Sequence, residues 1–133
     1  MGYRWYDAHK VAPAFAFGHG LSYSTFALSG LKASADSVSA TVTNTGDRAG
    51  ATVVQLYLGF PEDAGEPPQQ LKGFSKQPLK PGQSADVTFK LSERDRSIWD
   101  VGTHAWAEAK GTFTATVGLS SRDPKALVGS FDV

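Results

Sequence analysis

From Thr25 onward, apolar and polar residues alternate in short runs broken by turn-forming residues, and this pattern limits the possible folds more than any other feature. A side-chain period of two belongs to strands with one buried face, and breaks at roughly every 8 to 15 residues are those expected of an all-β sandwich. Val38, Ala40 and Val42 alternate with Ser39, Thr41 and Thr43. Asn44-Thr45-Gly46-Asp47 then supplies a turn, since Asn and Asp can bond their own backbone and Gly can take positive φ. Next, Val54, Leu56, Leu58 and Phe60 oppose Val53, Gln55 and Tyr57. Both faces are largely apolar, which predicts a central strand. A polar loop over 61–70 leads to a strand over 71–79, and Lys80-Pro81-Gly82 has the chemistry of a type II turn. Val87, Phe89 and Leu91 alternate with Asp86, Thr88 and Lys90, and Phe113, Ala115, Val117 and Leu119 with Thr112, Thr114 and Thr116. A closing strand over 127–133 brings the total to about seven, the number expected of an antiparallel two-sheet sandwich. Ser92-Glu93-Arg94-Asp95 reads as a capped helical turn that stops near Trp99. Trp99 and Trp106 are expected to be large core residues.

The first 24 residues do not share this pattern. Seven of the 15 aromatics fall within the first 26 residues: Tyr3, Trp5, Tyr6, Phe15, Phe17, Tyr23 and Phe26. Pro13, Gly18 and Gly20 interrupt the segment, so it reads as an irregular arm with one short strand around Tyr3 to Tyr6, and not as a helix. Such an arm needs a surface to lie against, either its own sandwich or a neighbouring part of a longer protein.

Composition narrows the function. A chain of 133 residues buries about two-thirds of its unfolded surface, enough for one domain without crosslinks. Thirteen basic residues balance 13 acidic ones with no block of like charge, so the electrostatic footprint of a nucleic-acid or membrane-surface binder is missing. Without cysteine there are no disulfides, thiolate chemistry or Cys-based zinc sites. His9, His19 and His104 lack the spacing that aims two imidazoles at one metal, and His19 is expected to fix its turn by a hydrogen bond. Ser22 and His19 have no nucleophile-elbow context, and Gly18-x-Gly20 lacks the third glycine and the helix of a phosphate loop. Glu62, Asp63 and Glu66 could pair as glycosidase acids, but nothing near them in sequence would desolvate one and raise its pKa. No catalytic residue, metal site or cofactor follows. Surface aromatics could instead form a sugar-stacking platform, with Trp5, Tyr6, Phe60 and Phe74 as candidates.

Phe17-Gly18-His19-Gly20-Leu21-Ser22-Tyr23-Ser24-Thr25-Phe26 resembles the FG-x-GLSYTTF sequence that opens the C-terminal domain of family 3 glycoside hydrolases, the β-glucosidases and β-xylosidases. Val42-Thr43-Asn44-Thr45-Gly46, Gly50 and Val53-Val54-Gln55-Leu56-Tyr57 are similar to the next conserved stretch of that family. Leu71-Lys72-Gly73-Phe74, Leu79-Lys80-Pro81-Gly82, and Gly118 with Ser120-Ser121-Arg122-Asp123 follow in the same order. The resemblance covers almost the whole chain. Arg96 departs from it, standing where the family pattern carries leucine, so this position is expected to be more exposed here.

The resemblance implies an immunoglobulin-like, fibronectin type III-like sandwich over 25–133, preceded by an arm over 1–24 that leaves a catalytic domain. The family's nucleophile and acid/base lie in two earlier domains, and no position here matches either. Met1, together with Gly2, reads as an addition in front of the natural sequence. The implied role is a non-catalytic accessory domain, most of all of a β-glucosidase, that docks on the catalytic domains through Tyr3, Trp5, Tyr6, Phe15, Phe17, Tyr23 and Phe26. The other role is a module binding polysaccharide or lignin, with Phe60 and Phe74 as contacts. The parent enzyme is expected to be secreted or periplasmic. Removal of residues 1–22 is expected to leave the sandwich folded and more soluble.

Overall fold

The structure is a computed structural model that describes residues 2–133; Met1, read above as an addition, lies outside the described residues. The chain runs through α1 (Tyr3–Ala8), β1 (Phe26–Ala33), β2 (Ser37–Asn44), β3 (Gly50–Gly59), β4 (Gln70–Leu79), β5 (Ser84–Lys90), β6 (Ser97–Asp100), β7 (Ala105–Glu108), β8 (Thr112–Gly118) and β9 (Leu127–Asp132), with 3-10 turns at Glu62–Ala64 and Glu93–Arg96. One sheet has the order β1-β2-β5 and the other β4-β3-β8-β9, which together give the expected seven-stranded antiparallel sandwich. Strands β6 and β7 form a separate hairpin.

Alternation sets the core. Val38, Ala40 and Val42 of β2 meet Val54, Leu56 and Leu58 of β3 and Phe113, Ala115 and Val117 of β8, all of them buried. Phe113 lies between Phe60 and Phe131, at ring-centroid distances of 5.0 and 5.5 Å. Such offset and tilted contacts suit the aromatic quadrupole. As its two apolar faces predict, β3 is central, flanked by β4 and β8. The turn chemistry also holds. Gly46 donates to Asn44 Oδ1 at 2.9 Å, and Gly82, at φ 73°, completes a turn closed by Gln83 N–H donating to the Lys80 carbonyl.

Four expectations are corrected. Residues 3–6 are helical: with no partner strand at hand, the backbone bonds to itself, as in His9 N–H to the Trp5 carbonyl at 3.0 Å. A run of six residues is too short for its period to separate helix from strand. Trp99 and Trp106 are both half-exposed, since they form a cross-strand pair on the outer face of the hairpin while Ile98, one residue away, reaches the core. A single-residue change of face accounts for the whole difference. Arg96 is buried, with Nε and Nη2 donating to Glu108 Oε1 at 3.0 and 2.7 Å and Nη1 donating to the Ala35 carbonyl. A guanidinium can stand in a leucine's place because its stem packs while its head is paired. The helical turn ends at Arg96, short of Trp99, although the Ser92–Asp95 cap forms as read, with Ser92 N–H donating to Asp95 Oδ2 at 2.9 Å.

Candidate docking face

On β3, Gln55 and Tyr57 point away from the sandwich core, yet both are buried. What covers them is the arm. Tyr3 packs edge-on against Tyr57 at 5.9 Å and stacks on Phe17 at 4.5 Å with an interplanar angle of 18°. The α1 helix places Tyr3 and Asp7 on one side, four residues apart, and both reach the sandwich. Tyr3 Oη accepts from Leu71 N–H at 2.6 Å. Asp7 accepts from Gln69 Nε2 at 3.0 Å and from Arg122 Nε and Nη2 at 3.1 and 2.9 Å.

Farther along, Arg122 also donates to the Val11 carbonyl, Ser121 N–H to the Phe17 carbonyl and Gln55 Nε2 to the Gly18 carbonyl. Gly18 is at φ 76°, and a Cβ there would run into the Gln55 amide, so only glycine lets the chain pass this close. Gln55 Nε2 also donates to the Leu119 carbonyl, and its Oε1 accepts from Tyr57 Oη at 2.5 Å. Burial pushes the Tyr57 phenol well above its ordinary value of 10.0, and the neighbouring Tyr3 and Asp7 charges add to this. The motif residues Gln55, Tyr57, Leu71, Ser121 and Arg122 therefore share one task, that of seating the arm.

Among the described residues, nothing covers the other side of the arm. Leu21 and Tyr23 are each 95% exposed and Phe15 78%, and Trp5 and Tyr6 are exposed as well. Between α1 and the segment 13–17 lies a largely apolar cavity of about 400 Å³ lined by Tyr3, Tyr6, Pro13, Phe15 and Phe17. Monomers seldom leave such a run of apolar side chains in water.

The sequence candidates thus separate. Trp5, Tyr6, Phe15 and Tyr23 are exposed, Tyr3 serves the inward seat, Phe17 stacks on Tyr3 while remaining 45% exposed itself, and Phe26 opens β1 and packs on the core. Phe60 also packs on the core, with the Lys72 ammonium over its ring at 5.2 Å, whereas Phe74 stands alone and exposed on β4. His19 closes its turn through the backbone, N–H to the Ala16 carbonyl, and its ring stacks on Phe15 instead of fixing the turn by a side-chain bond. Glu62, Asp63 and Glu66 are exposed in their loop, and among the described residues no group of three or more His, Asp or Glu is placed to hold a metal. Sequence reasoning missed Asp7, Gln55, Tyr57, Gln69 and Arg122. The available signal was a run of polar or aromatic residues on the nominally outer face of a central strand.

The fold is that of a fibronectin-type sandwich carrying an amino-terminal arm. The chain belongs to the fibronectin type III-like domain family, whose sequence model matches residues 52–121. A probable β-glucosidase G of Aspergillus flavus is 45% identical over 92% of the chain and 18% of its own length, and a probable β-glucosidase L of Emericella nidulans is 44% identical over 100% and 21%. Among solved structures, a GH3 β-glucosidase of Bifidobacterium adolescentis superposes with a TM-score of 0.90 at 42% identity, covering 99% of the chain and 21% of that enzyme. β-Glucosidase 3B of Thermotoga neapolitana, in complex with α-D-glucose, does so with a TM-score of 0.90 at 39% identity, over 100% of the chain and 19% of that enzyme. The chain thus spans about a fifth of the length of these relatives. The resemblance to the domain of this type in family 3 glycoside hydrolases is borne out.

Proposed function

We propose that this chain is the non-catalytic accessory domain of a β-glucosidase and that it stabilises the catalytic domains by docking against them. Residues 1–24 are the arm that leads out of those domains, and 25–133 are the sandwich. The observation that carries this reading is the two-sided arm. Its inner side is hydrogen-bonded to the sandwich, while Trp5, Tyr6, Phe15, Leu21 and Tyr23 face outward. At about 25 cal/mol per Å², covering that face supplies several kcal/mol before ordering costs. The nucleophile and acid/base belong to the docked partner.

The test compares two contexts. Leu21→Ser with Tyr23→Ser changes the unfolding free energy of the 133-residue chain by less than about 0.5 kcal/mol, as for exposed sites. In the longer enzyme the same pair lowers the melting temperature by several degrees. An equal, small effect in both contexts refutes docking through this face.

A second reading, a polysaccharide or lignin binder, has the exposed Phe74, Trp99 and Trp106 in its favour. The two tryptophan rings meet at 67°, so they offer no flat row for stacking. A pull-down of the isolated chain on cellulose, xylan free of uronic acid, and lignin separates the readings, with no binding expected from an accessory domain that only docks.

A further inference from the structure

Beside the arm's seat, a groove of about 480 Å³ runs between β4, the turn Glu93–Arg96, Trp106 of β7 and Arg4 of α1. Its volume is within the range of small-molecule sites. Three cations line it: Arg4, Lys72 and Arg94. Among the described residues, none of the three forms an ion pair; the pairs present are Arg96–Glu108, Lys110–Glu108 and Arg122–Asp7. Like charges left together in a groove repel one another. Partial burial is the main cause that pulls the Lys72 ammonium below the ordinary value of 10.5; Asp95 opposes it, Arg4 and Arg94 add to it, and Glu66 opposes it least.

The backbone places Lys72 there. On β3 and β4, Leu56 pairs with Gly73 and Tyr57 with Leu71, so Lys72 is the unpaired extra residue of a β-bulge on an edge strand. Bulges re-aim a side chain, and they concentrate at sheet edges and beside binding sites. The Arg94 guanidinium carbon sits 2.9 Å from the centroid of the Trp106 ring, a cation–π contact. Among the described residues Arg94 forms no ion pair, so its N–H donors are available for an anion.

The groove also holds acceptors. Glu66 Oε2 accepts from Gln70 Nε2 at 2.5 Å and Asp95 Oδ2 from Ser92 Oγ at 2.6 Å, which leaves one oxygen of each carboxylate open. Carboxylates beside cations disfavour densely charged anions such as phosphate and sulfate, yet they accept well from hydroxyls. The combination calls for a ligand with one negative charge and several hydroxyls.

We propose that this groove binds a uronic acid residue, with its carboxylate on Lys72, Arg94 and Arg4 and its hydroxyls on Glu66, Asp95 and Gln70. A neutral hexose lacks the partner for the three cations, and acetate lacks the hydroxyls.

The experiment titrates sodium glucuronate into the 15N-labelled 133-residue chain and follows the Trp106 indole N–H, assigned with Trp106→Phe. A saturable shift with a dissociation constant on the order of millimolar is expected, with glucose, acetate and inorganic phosphate each about tenfold weaker, the factor that 1.4 kcal/mol represents. Lys72→Met weakens glucuronate by about tenfold at an unchanged melting temperature, in line with loss of one charge-assisted bond. Arg4→Gln, on the arm, gives the same direction without touching the sandwich and decides the matter should Lys72→Met unfold. Binding of glucuronate no tighter than glucose, acetate or phosphate overturns the proposal. So does undiminished binding in both variants, or a hexaglutamate peptide that binds as tightly as glucuronate, which would mark a plain anion patch.

Discussion

Asn44 ties three parts of the molecule together through one side chain. Its Oδ1 accepts from Ser24 Oγ and Gly46 N–H at 2.7 and 2.9 Å, and its Nδ2 donates to the Arg48 and Leu79 carbonyls at 2.8 and 3.0 Å. It is completely buried. Every hydrogen-bonding position of the amide is used, so the near-isosteric Asn44→Asp exchanges two donors for a charged oxygen facing two carbonyls. We expect a loss of about 3 kcal/mol in urea unfolding at neutral pH, the cost of buried groups left unsatisfied. A change below about 0.5 kcal/mol, typical of exposed sites, would mean that the turn holds without the amide. The sequence marked Asn44 as a turn residue because its neighbours have turn chemistry. It did not mark Tyr57 or Gln55, because alternation assigns a residue to a face and is silent about what lies over that face. Arg122 and Asp7, 115 positions apart in the chain, meet only once the fold has formed.

At the scale of elements, the sandwich strands were legible wherever a polar face alternated with an apolar one, and β3 was recognisable as central because it lacked such a face. The β6–β7 hairpin was not legible, because two tryptophans in short strands satisfy either face equally well. Its attachment is electrostatic as well as apolar. Glu108 receives Lys110 Nζ at 2.5 Å and Arg96 Nη2 at 2.7 Å, and these two partners, Lys110 foremost, hold its carboxyl below the ordinary value of 4.5. A carboxylate whose folded pKa is depressed contributes stability above its unfolded pKa, and that contribution is lost as pH falls through the folded value. The melting temperature should therefore fall on acidification below about pH 4.5, with Glu108 responsible for part of the slope. Glu108→Gln should lower the melting temperature at pH 7 and flatten the acid limb. An acid limb of unchanged slope in that variant would remove Glu108 from the account. The α1 helix was misread for another reason: its fit depends on Tyr3 and Asp7 finding the sandwich, which is tertiary information.

For the whole molecule, the arm has two surfaces with separable consequences, and deleting it separates them. Loss of residues 1–22 removes Phe15 and Leu21, so solubility should rise. It also uncovers Tyr57, which the sandwich core cluster does not include, so the truncated chain should stay folded and lose about 2 kcal/mol, the value of one large side chain returned to water. Alkaline pH gives an independent reading of the same seat. Because burial raises the Tyr57 phenol above its ordinary value of 10.0, its contribution is complete below that pH and is lost as pH rises past it. The intact chain should therefore lose stability above about pH 10 more steeply than the truncated one, in which Tyr57 ionises in water. Tyrosinate absorbance at 295 nm, a wavelength at which about one late-titrating phenol is separable from the exposed ones, follows the step directly. Equal alkaline limbs in the two chains would place the cover of Tyr57 elsewhere than in the arm. A truncated chain without β-type circular dichroism would make the seat part of the sandwich's own core, and the outward face would then be all that the arm offers to a neighbour.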